Sequence, residues 1–239
     1  MAAHGGPDLV QDGLVLSLDA ASKNSYPGSG TTWSDLSGNG IDGTLSAAAI
    51  GTDVPGNMDF NGSDEYISFS STDYGIATEW TVSWWMNMDD DGLQTFFSMK
   101  EAGGNNKIEI ITNNNIREIF INNTDGGGQY NQCDTNNSAW STSTWTHVAV
   151  TNNGGTDDGS SLGSVYAIYI NGVSQSINSL GGSVVTPMAA VSRTLSIGKE
   201  DGGSRYVDGK ITAVHVHNRA LSAKEVSQNF NAQRSRFGV

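Results

Sequence analysis

Residues Glu79–Met88 read EWTVSWWMNM. Side chains on a strand change face at every residue, so Trp80, Val82, Trp84, Met86 and Met88 fall on one side and Thr81, Ser83, Trp85 and Asn87 on the other. The alternation predicts a long strand with one heavily apolar face. Large aromatic side chains gain their full transfer energy only when covered, so this face calls for a second sheet packed over it. The expectation is an all-β fold: a two-sheet antiparallel β-sandwich.

Working outward, further strand patterns fall at residues 13–19 (GLVLSLD), 58–60, 65–69, 95–100, 107–112, 116–122, 145–151, 165–173, 194–198 and 210–217. Asn61-Gly62 and Asn171-Gly172 carry the two-residue hairpin signal. Residues 20–43 are rich in Gly, Ser, Asn and Asp and predict an ordered loop, with Trp33 and Leu36 as its anchors in the core. Residues 123–144 form the longest stretch without a period, as expected of a functional or mobile loop. One short C-terminal helix is predicted, because Ser222 and Glu225 make a capping box and Val226 and Phe230 lie one turn apart. With no linker and no internal repeat, the chain divides into an arm at 1–12, one domain at 13–233 and a tail at 234–239.

The composition agrees with short strands and tight turns: 30 Gly against 4 Pro, 36% hydrophobic and only 15% charged residues among 239. The formal charge is −13, from 12 basic and 25 acidic residues. No basic stripe exists to neutralise phosphates, so neither nucleic acid nor an anionic membrane is an expected partner. The single cysteine, Cys133, excludes an intrachain disulfide and a thiolate zinc cage. The start, MAAHGGPDLVQDG, has neither the basic region nor the apolar core of a signal peptide, so synthesis in the cytosol is expected.

Several segments match a known family in order and spacing: GLVLSLDA, DLSGNGIDGT, FNGSDEYI, WTVSWWMN, WTHVAVT, IYINGV and IGKEDGGSRYVDGKITAVHVHNRALSAKEV. From about residue 13 to residue 230 the chain resembles the laminin-G-like branch of the concanavalin A-like lectin/glucanase jelly rolls. Its opening DGLVLSLDA and its ending NRALSAKEVSQNFNAQRSRFG are similar to the version carried by structural proteins of marine tailed bacteriophages. The resemblance implies a jelly roll that binds glycans or proteins through rim loops or a concave sheet.

It also implies structural calcium as a cofactor, with Asp19, Asp35 and Asn39 in the matching positions. Thr212 stands where the family usually has an acidic residue, which removes one expected carboxylate. The other reading of these side chains is local, as Asx groups bonding to their own turns. His147, His215 and His217 would meet around zinc or nickel only if their strands were neighbours; a polar strand face is the alternative. His4 lies in the arm.

A glycan site needs an aromatic platform beside amides and carboxylates. Tyr130, Trp140 and Tyr206 qualify, with Asn131, Asn137 or Asp201 nearby, and Trp85 is a fourth aromatic; each also fits as an anchor into the core. Glycosidase relatives carry two acids at alternate positions of one strand, whereas Glu109 and Glu118 each lack an acidic neighbour two residues away. No nucleophile elbow is present. The expectation is a non-enzymatic virion surface protein, on capsid or tail, that offers host glycans a lectin-like jelly roll; capsid or tail proteins and further copies of the chain, as a homo-oligomer, are its candidate partners. A free carbohydrate-binding module and a polysaccharide hydrolase are the alternatives.

Overall fold

The computed structural model describes residues 7–46, 56–76, 78–102, 106–113, 117–125, 128–136, 138–156, 159–183 and 192–239. Its strands are β1 (Leu14–Leu18), β2 (Thr32–Trp33), β3 (Gly43–Leu45), β4 (Met58–Asn61), β5 (Ile67–Thr72), β6 (Glu79–Met88), β7 (Thr95–Glu101) and β8 (Lys107–Asn113). They continue with β9 (Glu118–Thr124), β10 (Tyr130–Thr135), β11 (Thr146–Asn153), β12 (Tyr166–Ile170), β13 (Val173–Ser174), β14 (Ile177–Gly182), β15 (Arg193–Ile197) and β16 (Asp208–His217). A single α-helix, α1 (Ala223–Gln233), occurs among the described residues, with 3-10 turns at Leu162–Ser164 and Arg234–Arg236.

Two antiparallel sheets form the sandwich. One has 7 strands in the order β1-β16-β6-β11-β12-β13, with β4 also paired to β16; the other has 9, in the order β14-β10-β9-β8-β7-β15-β5-β3-β2. The organising strand β6 lies inside the smaller sheet between β16 and β11. Trp80, Val82, Trp84, Met86 and Met88 face the larger sheet and are buried in the main core. Trp84 packs on Phe96 with ring centroids 5.3 Å apart. Thr81, Ser83 and Trp85, on the opposite face, are equally buried. That face is covered by α1, by the turn after it and by the segment around Val10.

The chain ends therefore differ from the expected arm and tail. Val10 packs with Ala149, Tyr169, Leu221 and Val226, and its N–H donates to Asn229 Oδ1 at 2.8 Å. Phe237 stacks on Trp85 with centroids 3.9 Å apart and planes at 14°. The capping box of α1 forms as expected: the Glu225 N–H donates to Ser222 Oγ, and the Ser222 N–H to Glu225 Oε2. Arg219 beside it, followed by those bonds, holds the Glu225 carboxyl at about 2.

Three local expectations are corrected. Asn61-Gly62 makes a tight turn, with the Asn61 side chain accepting the N–H groups of Ser63 and Asp64. It joins no hairpin, because β4 pairs with β16 in one sheet and β5 with β3 and β15 in the other. Asn171-Gly172, by contrast, is a true hairpin turn between β12 and β13, with φ of 50° and 76°. The stretch 123–144 contains β10, whose sequence YNQCDT shows little apolar alternation because its outward residues face a polar surface. Leu36, expected in the core, is 42% exposed, while Trp33 is fully buried.

Burial on both faces makes the centre of β6 intolerant of truncation. Trp84→Ala should lower the unfolding free energy by about 3–5 kcal/mol, read from the urea midpoint, whereas Leu36→Ala should stay within about 0.5 kcal/mol of the parent.

Candidate functional site

The outer surface of the nine-stranded sheet is built from the residues that alternate with its core-facing Ile108, Ile110, Ile119 and Ile121. The register sets Ser68, Ser196, Ser98, Glu109, Asn122 and Gln132 in one row across β5, β15, β7, β8, β9 and β10. A neighbouring row holds Thr194, Lys100, Lys107, Thr124 and Tyr130. Small hydroxyls at one end give way to carboxylate and amide groups at the other.

Over the hydroxyl end lies the loop 198–207, closed at its base by a bridge between Lys199 and Tyr206. Asp201 ties the loop to the floor: its N–H donates to Ser98 Oγ at 3.2 Å, and its carboxylate accepts from Thr194 Oγ1 at 2.6 Å. Arg205 reaches Glu200 at 2.6 Å and Glu109 at 3.5 Å. Glu109 also accepts from Lys107 at 3.0 Å and from Asn122 at 3.0 Å, so its charge is balanced where it sits. Arg205 beside Glu200 holds that carboxyl below the usual carboxylate range.

Tyr206 stands in this loop as part of an aromatic pair that sequence reading missed. Its ring lies 6.3 Å from that of Tyr66 at 56°, and Lys199 Nζ sits 4.3 Å from the Tyr66 centroid and 5.2 Å from that of Tyr206. All three side chains are partly exposed. Tyr66 precedes β5 by one residue, and only the sheet register brings it to Tyr206.

The remaining glycan candidates separate. Tyr130 is 46% exposed, but it starts β10 rather than sitting in a loop. Asn131 next to it is buried, with its amide nitrogen placed to donate to the Tyr130 and Ser183 carbonyls at 3.2 and 2.9 Å. Trp140 is 3% exposed and belongs to the main core, so it offers no platform to a sugar. Trp85 is sealed under α1, its indole N–H donating to Gln233 Oε1 at 2.9 Å. Asn137 and His4 lie outside the described residues.

The calcium candidates are each committed inside the protein. Both carboxylate oxygens of Asp19 accept from Arg236, at 2.7 and 2.8 Å. Asp35 accepts the N–H groups of Ser17, Ser37 and Ile41, and the Asn39 amide nitrogen donates to the Val15 carbonyl at 3.0 Å. Asp35 thus bonds both its own turn and β1, and Asn39 bonds β1 and Ser37. Thr212 is fully buried.

The three histidines are buried, not spread on a half-exposed face. His147 on β11 and His215 on β16 are separated by β6, opposite Trp85 and Ser83 respectively. Among the described residues no group of three or more His, Cys, Asp or Glu side chains is placed to hold a metal ion.

Glu118 does have an acidic neighbour, on the adjacent strand. Its side chain is hydrogen-bonded to that of Asp134, and both residues are 4% exposed. Burial raises the Asp134 pKa, against the lowering effect of the bond that Asn178 donates at 3.0 Å. Glycosidase acid pairs stand about 5 Å or more apart, with the sugar between them. Glu118 and Asp134 are instead both buried.

Residues 61–227 match the concanavalin A-like lectin/glucanases superfamily, well over half of the chain. The chain belongs to that superfamily. No curated protein matches its sequence. Among solved structures, domain 4 of AbnA, an extracellular arabinanase from Geobacillus stearothermophilus determined with arabinotriose, superposes with a TM-score of 0.63 at 18% identity, over 91% of this chain and 98% of that one. The binding domain of botulinum neurotoxin DC, determined with SialylT, gives 0.65 at 15% identity, over 93% of this chain and 52% of its own. The binding domain of Paraclostridial Mosquitocidal Protein 1 gives 0.66 at 17%, over 93% and 52%. This superfamily member spans about half the length of those toxin domains. At these identities the likeness is one of fold.

The burial of Asp134 has a measurable consequence. A group whose pKa is raised by folding contributes stability that is full below its unfolded value, about 3.9 for Asp. That contribution is lost as pH rises through the folded value. Asp134→Asn, neutral at every pH, should therefore raise the melting temperature relative to the parent at pH 7, and the gain should shrink toward pH 4.

Proposed function

We propose that this jelly roll is a non-catalytic surface protein of a tailed-phage particle, on capsid or tail, which is made in the host cytoplasm and binds host-surface glycans. The carrying observation is the partly exposed Tyr66–Tyr206 pair, set in a loop with Asp201, Glu200 and Arg205 beside the amide- and hydroxyl-rich outer sheet. A tyrosine face stacks against the apolar C–H side of a sugar, while neighbouring amides and carboxylates take its hydroxyls. Tyr130, near Gln132 and Asn122, offers a second contact at the far end of the same surface.

The non-catalytic reading is supported by the state of the acids. Glu109 is ion-paired with Lys107 and Arg205 and accepts a hydrogen bond from Asn122, and Glu118 and Asp134 are buried. Two structural neighbours, a domain of an arabinanase solved with arabinotriose and a toxin binding domain solved with SialylT, suit a glycan role. Assignment to a particle rests on the sequence likeness to phage structural proteins; partners there would be capsid or tail proteins and further copies of the chain.

A free carbohydrate-binding module is the second reading, favoured by the near-complete coverage of the arabinanase domain. Binding to a glycan array should weaken at least tenfold with Tyr206→Ala, and less with Tyr130→Ala, while Trp140→Phe leaves binding unchanged. Mass spectrometry of purified particles should find the chain in stoichiometric amount. Its absence there, with glycan binding intact, would leave the free module; flat arrays would remove the glycan role.

A further inference from the structure

The outer face of the seven-stranded sheet carries a hydrogen-bond chain with no slack. The Trp85 indole N–H can only donate, and its acceptor is Gln233 Oε1 at 2.9 Å. The Gln233 amide is thereby oriented, and its Nε2 faces His215 Nε2 at 3.0 Å. His215 Nε2 must then be the acceptor. Its proton sits on Nδ1, which donates to Ser17 Oγ at 3.2 Å. Both ring nitrogens are used, and the imidazole is neutral.

Protonating His215 breaks this chain at one link or the other. A new N–H on Nε2 would point at the Gln233 NH2. Turning the amide to offer Oε1 to the imidazolium would set its NH2 against the Trp85 N–H. Either way two donors face each other at a buried site, which is the costly case. Gln233 is the last residue of α1, and the turn that follows carries Phe237 onto Trp85.

The surroundings do not relieve the added charge. Asp19, the carboxylate acting on His215, has both oxygens held by Arg236. His217 and Arg236 act on His215 with like charge. His147 has Trp85 and Phe230 against its ring and is further disfavoured from charging by His215. His217 bonds the Val10 carbonyl at 3.0 Å, with Arg219 opposing and Glu225 and Asp12 favouring its charge. Among the described residues no carboxylate bonds any of the three rings. An open cleft of about 530 Å³, lined by Asp8, Gln11, Asp19, Gln233 and Arg236 among others, brings water to the outer side of the chain.

We infer that α1 with its following turn is an acid-released clasp, and that proton uptake by the histidines beneath it frees the chain terminus and uncovers Trp85 without dissolving the sandwich. Burial lowers His147 to about 3 and His215 to about 4 in the closed form, and His217 in the same direction. In the open form each returns to about 6.5. The closed form is therefore fully favoured above about pH 6.5, and each histidine withdraws about tenfold of closing equilibrium per pH unit below it, His215 doing so down to about 4.

Hydrogen exchange of the full chain, corrected for intrinsic rates, tests this. Between pH 7 and pH 5 the amides of α1 should lose at least tenfold protection, while those of β7, β8 and β9 keep theirs. Gln233→Glu supplies two acceptor oxygens, one for Trp85 and one for protonated His215, and should blunt the loss. His215→Asn accepts from Gln233 without titrating and should remove the His215 share, so one variant suffices if the other fails to fold. Loss of protection in α1 and the nine-stranded sheet together, or no difference between the parent and both variants, would overturn the clasp.

Discussion

Every residue from Trp80 to Met86 on β6 is out of water, whichever way its side chain points. A strand buried on both faces cannot be stabilised by a single opposing sheet, so the molecule has to supply two covers of different kinds. The nine-stranded sheet covers the Trp80, Trp84 and Met88 side. Among the described residues the other side meets no third sheet and is closed by an 11-residue helix, the segment around Val10 and the turn that carries Phe237. A helix that short is marginal by itself in water. It persists because Phe230 and Phe237 stack on Trp85 and because the capping box, with Arg219, satisfies its N-terminus.

That arrangement divides labour between the outer surfaces. The seven-stranded sheet spends its outer face on closure: Ser17, Ser83, His147, His215 and His217 are buried there, with Gln233 and Asn229 as polar partners from the helix. Among the described residues no helix lies over the nine-stranded sheet. Its outer face is mixed: Ser98, Ser196 and Glu109 are buried, whereas Lys100, Lys107, Thr194, Asn122 and Gln132 are partly exposed and Tyr130 is exposed.

How much of this could be read in the sequence follows from how local each signal is. Strand β6 was legible because period two is written in its own residues, and α1 because Ser222 and Glu225 are three positions apart. Asn171-Gly172 fixed a hairpin because both flanking strands stay in one sheet. Asn61-Gly62 fixed only a turn, since the same dipeptide cannot say whether the next strand returns to its partner or crosses to the other layer. Trp85 stood on the polar side of its strand by alternation, and nothing nearby in sequence announced that Phe237 would cover it. Tyr66 with Tyr206, and Glu118 with Asp134, are contacts of register: they exist only once the strands are paired. The calcium positions were read by family resemblance, and Arg236, which occupies Asp19, lies in a segment that looked like a tail.

The charge distribution bears on what kind of ligand the open face suits. Four of the chain's 12 basic residues, Lys100, Lys107, Lys199 and Arg205, lie on or beside it, in a molecule of net charge −13. Lys107 and Arg205 are engaged by Glu109 and Glu200, and Lys199 lies against two tyrosine faces. Most of the positive charge is thus answered within the surface, and the surrounding acidic field repels polyanions at long range. Recognition on such a surface falls to stacking and to hydrogen bonds from fixed amides, forces that depend little on salt and that match the hydroxyl-rich, uncharged face of a sugar better than a phosphate or sulfate chain.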